Sequence, residues 1–254
     1  MGSGKVETWA FVSDTHWPHI HQPSWDAFSA WAKDTKPHGV VIGGDFLDFA
    51  ALSRYAQEPG AKQTVADDIR QFVGEANRLL RYTTHVHVIE GNHDARWYKK
   101  ILEPIAQHLP GLVGMSLHEQ CTFSGLDRRI KWHIESLEWR GLQLGNMILR
   151  HGDKQTPRFG SANPARAALV RTLGRSQVFG HTHQVGLVAM GTHADVSVSV
   201  ANGHMSADHS YSLENNWVRG FTILEHDKDA GFVHPYPVVI RDGRFAWRGR
   251  VFGV

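Results

Sequence analysis

The feature of this sequence that most constrains its fold is a short apolar segment, repeated along the chain, with a polar cluster directly after it. Five such segments are rich in β-branched and aromatic residues and are predicted to form buried strands: Trp9–Val12, Gly39–Ile42, His85–Ile89, Met147–Leu149 and Gln177–Phe179. Asp, His or Asn side chains follow each of them. Because ligands in α/β proteins bind outside the carboxyl ends of strands, we expect these polar side chains to meet at one site.

The five polar clusters contain side chains that commonly bind metal ions. They are Asp14-Thr15-His16, Gly44-Asp45-Phe46-Leu47-Asp48, Gly91-Asn92-His93-Asp94, His151-Gly152-Asp153 and Gly180-His181-Thr182-His183. One such cluster is typical of a turn or a helix cap, but five in this order favour a shared ligand site. Imidazole and oxygen donors suit Mn²⁺, Fe or Zn²⁺, and the candidate ligands outnumber those of a single zinc site. The pattern therefore predicts two metal ions that share a carboxylate, an arrangement that activates water against phosphoryl groups.

Segments with helical periodicity lie between the predicted strands. Apolar side chains recur at helical spacing over 65–80, 97–109 and 163–173, and Pro164 stands at the first turn of the last segment. The alternation of strands with helices predicts an α/β fold.

The last third of the chain contains predicted strands without intervening helices. These strands are Asp195–Val200, Phe221–Leu224, Val238–Ile240 and Arg244–Trp247, with a hairpin turn signal at Asp242-Gly243. We expect them to form a second sheet that packs against the first as a β-sandwich. No internal repeat or low-complexity linker interrupts the sequence, so a single domain over residues 1–254 is predicted.

Composition excludes several classes of protein. Hydrophobic residues make up 41% of the chain and charged residues 20%, which excludes a disordered protein. The formal net charge of +2 gives no strong field that would attract nucleic acid or a membrane. The single cysteine, Cys121, excludes an internal disulfide, and no apolar run is long enough for a signal peptide or a membrane span. We therefore expect a cytoplasmic protein with no membrane partner.

The ordered motifs Asp-x-His, Gly-Asp-x-x-Asp, Gly-Asn-His-Asp, His and Gly-His-x-His resemble those of the calcineurin-like metallophosphoesterase superfamily. The resemblance covers residues from about 12 to 183 and fills every expected metal-binding position. It implies the fold of that superfamily, a four-layer α/β/β/α sandwich in which helices flank two mixed sheets. The segments 44–49 and 52–54, and Asn216-Trp217 near Gly220, are further similar to phage and prophage members.

The resemblance implies a role for each motif residue. Seven residues would hold two divalent metal ions: Asp14, His16, Asp45 and His183 at the first ion, and Asp45, Asn92, His151 and His181 at the second. Asp45 would bridge the two ions. Manganese is the expected metal, with iron, zinc and nickel as alternatives.

His93 is expected to be a catalytic residue and not a metal ligand. It would assist the leaving group as a general acid or as a cation, and Asp48 would orient its ring by accepting a hydrogen bond. Asp94 would tether the loop. The implied reaction is hydrolysis of a phosphate ester by in-line attack of a metal-bridging hydroxide, with phosphodiesters favoured over monoesters.

The motifs constrain substrate recognition less tightly. Phe49 stands where Ser/Thr protein phosphatases of the superfamily carry a phosphate-binding Arg, which argues against a protein phosphatase. Asn92 is expected to help position a phosphoryl oxygen, and Arg96 is expected either to contact the phosphate or to be an ordinary helix residue. The segment 111–146 is predicted to be a substrate-side insertion or a covering hairpin, and 203–217 a lid loop.

Several alternatives to a phosphodiesterase stay open at this point. The substrate is expected to be a small-molecule or nucleic-acid phosphate ester. A DNA-end nuclease or exonuclease of the same superfamily, a phosphomonoesterase acting on proteins or nucleotides, and a non-catalytic metal-binding scaffold are the alternatives. Loss of a ligand or of His93 would mark a scaffold, and neither is lost. No motif indicates the oligomeric state.

Overall fold

The strands of the protein form two mixed β-sheets and a small C-terminal hairpin. A computed structural model describes residues 5–52, 64–109, 115–134, 141–154, 163–191, 196–208 and 216–253. Numbered along the chain, its strands are β1 (Val6–Val12), β2 (Gly39–Gly43), β3 (His85–Ile89), β4 (Lys131–His133), β5 (Leu142–Leu144), β6 (Met147–Arg150), β7 (Gln177–Phe179), β8 (Val185–Gly191), β9 (Val196–Asn202), β10 (Gly220–Asp227), β11 (Phe232–Val239), β12 (Phe245–Trp247) and β13 (Arg250–Phe252). Its α-helices are α1 (Gln22–Thr35), α2 (Val65–Leu79), α3 (Glu103–His108), α4 (Leu117–Phe123) and α5 (Pro164–Arg171).

Each sheet has a parallel centre and antiparallel strands at its side. The first sheet has the order β11-β10-β1-β2-β3-β4, in which β1 to β4 run parallel and β10 pairs antiparallel with both β1 and β11. The second has the order β5-β6-β7-β9-β8, in which β6, β7 and β9 run parallel and the edge strands β5 and β8 are antiparallel. The hairpin β12-β13 stands apart from both sheets.

Alternation of side chains along the strands produces four layers. On β1, Ala10 lies in the core cluster that contains Trp25 of α1, whereas Phe11 lies in the cluster between the sheets with Leu149 of β6. Ala165 of α5 packs against the outer face of the second sheet. The resulting order of helix, sheet, sheet and helix confirms the predicted α/β/β/α sandwich.

The five predicted strands that precede the polar clusters are confirmed as β1, β2, β3, β6 and β7. The prediction that the C-terminal strands form the second sheet by themselves is wrong. β10 and β11 extend the first sheet, and β8 and β9 join β6 and β7 in the second. The physical reason lies in β10, which is apolar on both faces: Phe221 packs on the α1 side and Leu224 faces the gap between the sheets.

The predicted helices over 65–80 and 163–173 are confirmed as α2 and α5. The segment 97–109 differs, because a π-helical turn at Tyr98–Leu102 precedes α3. Pro104, in the first turn of α3, has no N–H to donate, which shifts the hydrogen-bonding pattern at this junction. None of the described helices has both the length and the apolar character needed to cross a bilayer.

The two segments predicted to contact substrate are partly described. Residues 111–114 and 135–140 of the predicted insertion and 209–215 of the predicted lid lie outside the described residues. The rest of the insertion contains α4, β4 and β5, so it contributes an edge strand to each sheet. Trp132 of β4 packs edge-on against Phe46, which places this indole against the core.

Two hydrogen-bonded histidines join β3 to the edge strand β4. His87 is 7% exposed, its Nδ1 lies 3.0 Å from Nε2 of His133, and the two rings are parallel to within 5°. One ring nitrogen must donate and the other accept, so protonation of both rings breaks the contact. Burial, together with the nearby His133 and Lys131, lowers the pKa of His87 to about 4.

This pair predicts an acid-dependent loss of stability. The pKa of His87 is about 4 in the folded protein against an ordinary value of 6.5, so between these values the unfolded chain takes up a proton that the folded chain does not. The free energy of unfolding therefore falls as the pH falls through this window. We expect the free energy of unfolding of His87→Phe to fall less than that of the unsubstituted protein as the pH is lowered from about 7 to about 4.5. Urea unfolding at each pH measures it.

His234→Phe, at an exposed position of β11, controls for the removal of one imidazole. Equal losses of stability in His87→Phe and in the unsubstituted protein over this pH range would contradict the prediction.

Candidate metal centre

The loops that follow β1 and β2 are paired side by side at the carboxyl edge of the first sheet. The N–H of Asp14 donates to the carbonyl of Gly44 at 3.0 Å, and the N–H of His16 donates to the carbonyl of Asp45 at 3.0 Å. Asp14, His16 and Asp45 are all buried, with at most 2% of each exposed. The backbone pairing therefore fixes the spacing of three predicted ligands.

Five of the seven predicted ligands have left-handed backbone torsions. Their φ angles lie between 48° and 64°: Asp14, His16, Asp45, His181 and His183. Residues other than glycine seldom adopt this region, and each instance costs on the order of 1–3 kcal/mol. These torsions occur where the chain leaves β1, β2 and β7. Backbone strain gathered at strand ends in this way indicates a functional site.

Two glycines leave room for the buried carboxylates. A methyl group on Gly91 would lie 2.3 Å from Oδ1 of Asp45, and one on Gly180 would lie 2.4 Å from Oδ2 of Asp14. Neither distance is tolerable, so any larger residue would displace a carboxylate. The glycines of the third and fifth clusters are therefore required by the packing of the ligands.

The ligand atoms of the clusters come together at the carboxyl ends of strands from both sheets. Three sets of side chains have ligand atoms within 4.8 Å of one another: Asp14, His16 and His183; Asp45, His151 and His181; and His16, Asp45 and His93. Asp45 belongs to two of these sets, which is the placement a bridging carboxylate needs. Oδ1 of Asn92 lies 3.1 Å from Nε2 of His151. All seven residues predicted as ligands are thus brought to one place.

Hydrogen bonds at Nδ1 orient two of the histidines. Nδ1 of His16 lies 3.1 Å from Oδ1 of Asp48, and Nδ1 of His151 lies 3.1 Å from the carbonyl oxygen of Gly43. A proton held at Nδ1 leaves the lone pair of Nε2 for a metal ion, as is usual for ligating histidines. The oriented imidazoles, the carboxylates and the Asn92 amide form a donor set that fits two divalent ions.

Charges of opposite sign hold the two buried carboxylates in the ionised form. Burial raises the pKa of Asp14, but the contact with His183 outweighs it, and the pKa of Asp14 is lowered to about 2. At Asp45, burial again raises the pKa, but the charge of His151 lowers it, and the pKa of Asp45 lies well below its ordinary value. In the reverse direction, burial lowers the pKa of His151, but Asp45 raises it well above the usual range. The result is a cluster of buried anions that attracts cations.

His93 and Arg96 meet Asp48 at the opening of the site. Nδ1 of His93 lies 3.3 Å from Oδ1 of Asp48 and 3.2 Å from its carbonyl oxygen. Arg96 donates from Nη1 to that carbonyl oxygen at 2.7 Å and from Nη2 to Nε2 of His93 at 2.9 Å. Because a guanidinium only donates, Nε2 of His93 is the acceptor and Nδ1 carries the proton that points to Asp48. Burial lowers the pKa of His93, but Asp45 and Asp48 outweigh it and raise that pKa.

Asp94 and Phe49 have contacts of a structural kind. The carboxylate of Asp94 accepts hydrogen bonds from the N–H of Leu47 at 3.0 Å and from the N–H of Gly91 at 2.7 Å. It therefore ties the loop after β2 to the loop after β3. Burial raises the pKa of Asp94 well above its ordinary value. The side chain of Phe49 is fully buried in the core and does not face the site.

Two aromatic side chains from the ends of the predicted lid loop, 203–217, lie against a ligand. The ring of His204 is parallel to that of His183, with centroids 4.9 Å apart, and the indole of Trp217 stands edge-on to His183 at 4.3 Å. The sequence does contain a signal for His204. The segment Asn202-Gly203-His204 comes at the end of β9, a parallel strand beside β7, as the other clusters come at the ends of theirs.

Comparisons with known proteins agree with this geometry. Residues 8–185 match the model of the family described as calcineurin-like phosphoesterase. The gene 54 proteins of Mycobacterium phages L5 and D29 are 28% and 29% identical to the chain, and each alignment covers 96% of this chain and 97% of the phage protein. They confirm the expected similarity to phage members. Vacuolar protein sorting 29 from Cryptosporidium parvum has a TM-score of 0.51 at 14% identity, covering 98% of this chain and 99% of that one, which shows a likeness of fold alone.

Substitution of Asp45, the carboxylate predicted to bridge the two ions, tests the two-ion site. We expect the unsubstituted protein to bind two divalent ions per chain, and Asp45→Asn to lose or severely weaken both, because one carboxylate serves both positions. Metal content after dialysis against Mn²⁺, measured by mass spectrometry, reports the result. Asp229→Asn, an exposed carboxylate at the turn between β10 and β11, is the matched control. Two tightly bound ions in Asp45→Asn would exclude a bridging role.

A pair of Gly→Ala substitutions tests the packing of the ligands. Gly91→Ala places a methyl group against Oδ1 of Asp45 and is expected to lower metal affinity. Gly74→Ala is the matched control, because a methyl group at this exposed position of α2 meets nothing within 4 Å. It is expected to raise the free energy of unfolding by about 1 kcal/mol without a change in metal affinity. Unchanged metal binding by Gly91→Ala in a calorimetric titration would show that Asp45 tolerates the displacement.

Proposed function

The chain belongs to the calcineurin-like phosphoesterase family, and from that premise we propose that it is a dinuclear-metal phosphoesterase that hydrolyses phosphodiesters in preference to monoesters. The observation that carries the proposal is the position of Asp45. Its carboxylate lies within 4.8 Å of ligand atoms of His16, assigned to one ion, and of His151 and His181, assigned to the other. Its Oδ1 also accepts the backbone N–H of His93 at 2.7 Å. One residue thus connects the metal ligands to the candidate catalytic histidine.

Two divalent ions, when bound, would supply an acidified water and neutralise charge on the phosphoryl oxygens. The chain supplies the remainder: it excludes solvent around the carboxylates, fixes the imidazoles and presents His93. Manganese fits the mixture of imidazole, carboxylate and amide donors, and iron, zinc and nickel fit it also.

His93 is suited to protonate the leaving oxygen. The contacts of its Nδ1 with Asp48 leave Nε2 as the nitrogen that reaches outward, and 17% of the side chain is exposed at the opening of the site. A proton on Nε2 would pass to the departing alkoxide, and Asp48 would stabilise the cation before that transfer. The raised pKa of His93 supports this role.

Arg96 controls access to that nitrogen. While its guanidinium donates to Nε2 of His93, the nitrogen holds no proton to give. An anionic substrate offers Arg96 a bidentate partner and would draw it from His93 onto the phosphoryl oxygens. Substrate binding would then free Nε2 to take up a proton from water, which it passes to the leaving oxygen. Asn92, at the second ion, would contact the same phosphoryl group.

The preference for diesters follows from the charge that the site can neutralise. A phosphomonoester carries close to two negative charges at neutral pH, whereas a diester carries one. Phe49 is buried at the position where the protein phosphatases have an additional Arg. Among the described residues, Arg96 is the arginine that contacts the candidate catalytic pair, which matches the lower charge of a diester.

The test of the proposal is hydrolysis of three substrates by the metal-stripped protein reloaded with Mn²⁺: bis-(p-nitrophenyl) phosphate, p-nitrophenyl phosphate and DNA. We expect metal-dependent turnover with the diester preferred. Preference for the monoester would indicate a phosphatase, and cleavage confined to DNA would indicate a nuclease. No turnover of any of these substrates with two ions bound would favour a metal-binding scaffold.

The role of His93 predicts a dependence on the leaving group. His93→Ala is expected to retain both ions and to lose roughly 10²- to 10⁴-fold in kcat on a dinucleotide, whose alkoxide needs a proton. The loss on bis-(p-nitrophenyl) phosphate is expected to be much smaller, because p-nitrophenolate departs without one. Loss of metal from His93→Ala would instead show that His93 is a ligand, and equal losses on both substrates would argue against proton transfer.

A further inference from the structure

The histidines of the candidate metal centre are not all oriented in the same way. His16 and His151 each make a hydrogen bond at Nδ1, to Asp48 and to the carbonyl of Gly43. Nδ1 of His183 is buried without a hydrogen-bond partner among the described residues. Its Nε2 lies 3.3 Å from Oδ1 of Asp14. This one polar contact does not fix the plane of the ring.

Aromatic packing takes the place of the missing hydrogen bond. The ring of His204 lies parallel to that of His183 within 9°, with centroids 4.9 Å apart. The indole of Trp217 is edge-on to His183 at 4.3 Å and lies 5.8 Å from His204. A ring stacked on one face and an indole across the edge together restrict the plane of His183.

His204 is itself held rigidly. It is 2% exposed, and its Nδ1 lies 2.8 Å from the hydroxyl of Ser206. Its backbone N–H donates to the carbonyl of Val218 at 3.1 Å, and its carbonyl accepts from the N–H of Gly220 at 3.0 Å. The N–H of Val218 donates in turn to the carbonyl of His183 at 2.7 Å. The stacking ring and the ligand are therefore fixed in one backbone network.

We propose that His204 is a positioning residue of the metal centre, whose ring fixes the plane of His183 so that this ligand points at the ion held by Asp14 and His16. The inference rests on the proposed two-ion site and not on hydrolysis. Contacts that orient a ligand commonly change metal affinity by 10- to 100-fold when removed. Among the described residues, the structure records no contact between His204 and the ring of His151 or His181. The effect is therefore expected at one ion only.

The experiment measures the affinity of each ion by titrating the metal-free protein with Co²⁺ and following its visible absorption. His204→Leu fills a similar volume without a planar ring. It is expected to lower the affinity for one of the two ions roughly 10- to 100-fold. His204→Phe restores the planar ring and is expected to bind both ions within about threefold of the unsubstituted protein. Thermal unfolding of each metal-free variant reports whether it is folded.

His133→Ala is the matched control, because it removes an imidazole that also stacks in parallel on another histidine, at 5.2 Å from His87 and away from the ligands. It is expected to bind both ions as the unsubstituted protein does. Unchanged binding by folded His204→Leu would overturn the proposal, as would equal losses in His204→Leu and His204→Phe. Absence of bound ions from the unsubstituted protein would overturn the metal centre as well, whereas two bound ions without turnover would overturn only the proposed hydrolysis.

Discussion

The carboxylates of Asp14 and Asp45 are buried beside each other where the two sheets meet, with 0% and 2% of each residue exposed. Removing an ionised carboxylate from water costs several kcal/mol even after the surroundings relax, and two like charges at one place add repulsion. The N–H of His181 donates to Asp14 at 3.0 Å, and that of His93 donates to Asp45 at 2.7 Å. These contacts, with the neighbouring imidazoles, offset part of the penalty. Divalent cations at the proposed site would offset the remainder.

The same constraint shifts the pKa values of nearby groups. Burial and Asp45 both raise the pKa of Asp94, the third carboxyl group close to the pair, while backbone hydrogen bonds from Gly91 and Leu47 oppose the shift. His151 is driven the other way, because Asp45 raises its pKa although burial opposes protonation. Ligation requires a histidine to be neutral, so protons compete with metal ions at this position, and metal affinity is expected to rise with pH.

The sequence predicted which residues meet at the site more fully than it predicted how the strands around the site pair. Polar clusters placed after apolar runs located Asp14, Asp45 and His181 correctly, because strand ends are local features that composition and spacing reveal. The pairing of β10 with β1 was not predicted, since alternation indicates which faces of a strand are buried but not which neighbour it binds. The packing of His204 on His183 was missed for a related reason. The cluster Asn202-Gly203-His204 follows a strand as the other clusters do, but its approach to His183 depends on the partner that β9 takes in the second sheet.

The 18 histidines show why abundance is a weaker signal than position. A second group lies far from the candidate ligands, where the rings of His38 and His85 stack at 4.6 Å and Trp9 packs against both. Every described set of three ligand atoms within 4.8 Å includes Asp14, His16 or Asp45, so this second group offers no such set. Within β3, His85 and His87 alternate with valines and pack as small aromatic side chains. The histidines of the candidate centre instead follow strand ends, in loops whose torsions turn them inward, and it is this placement that makes an imidazole available to a metal ion.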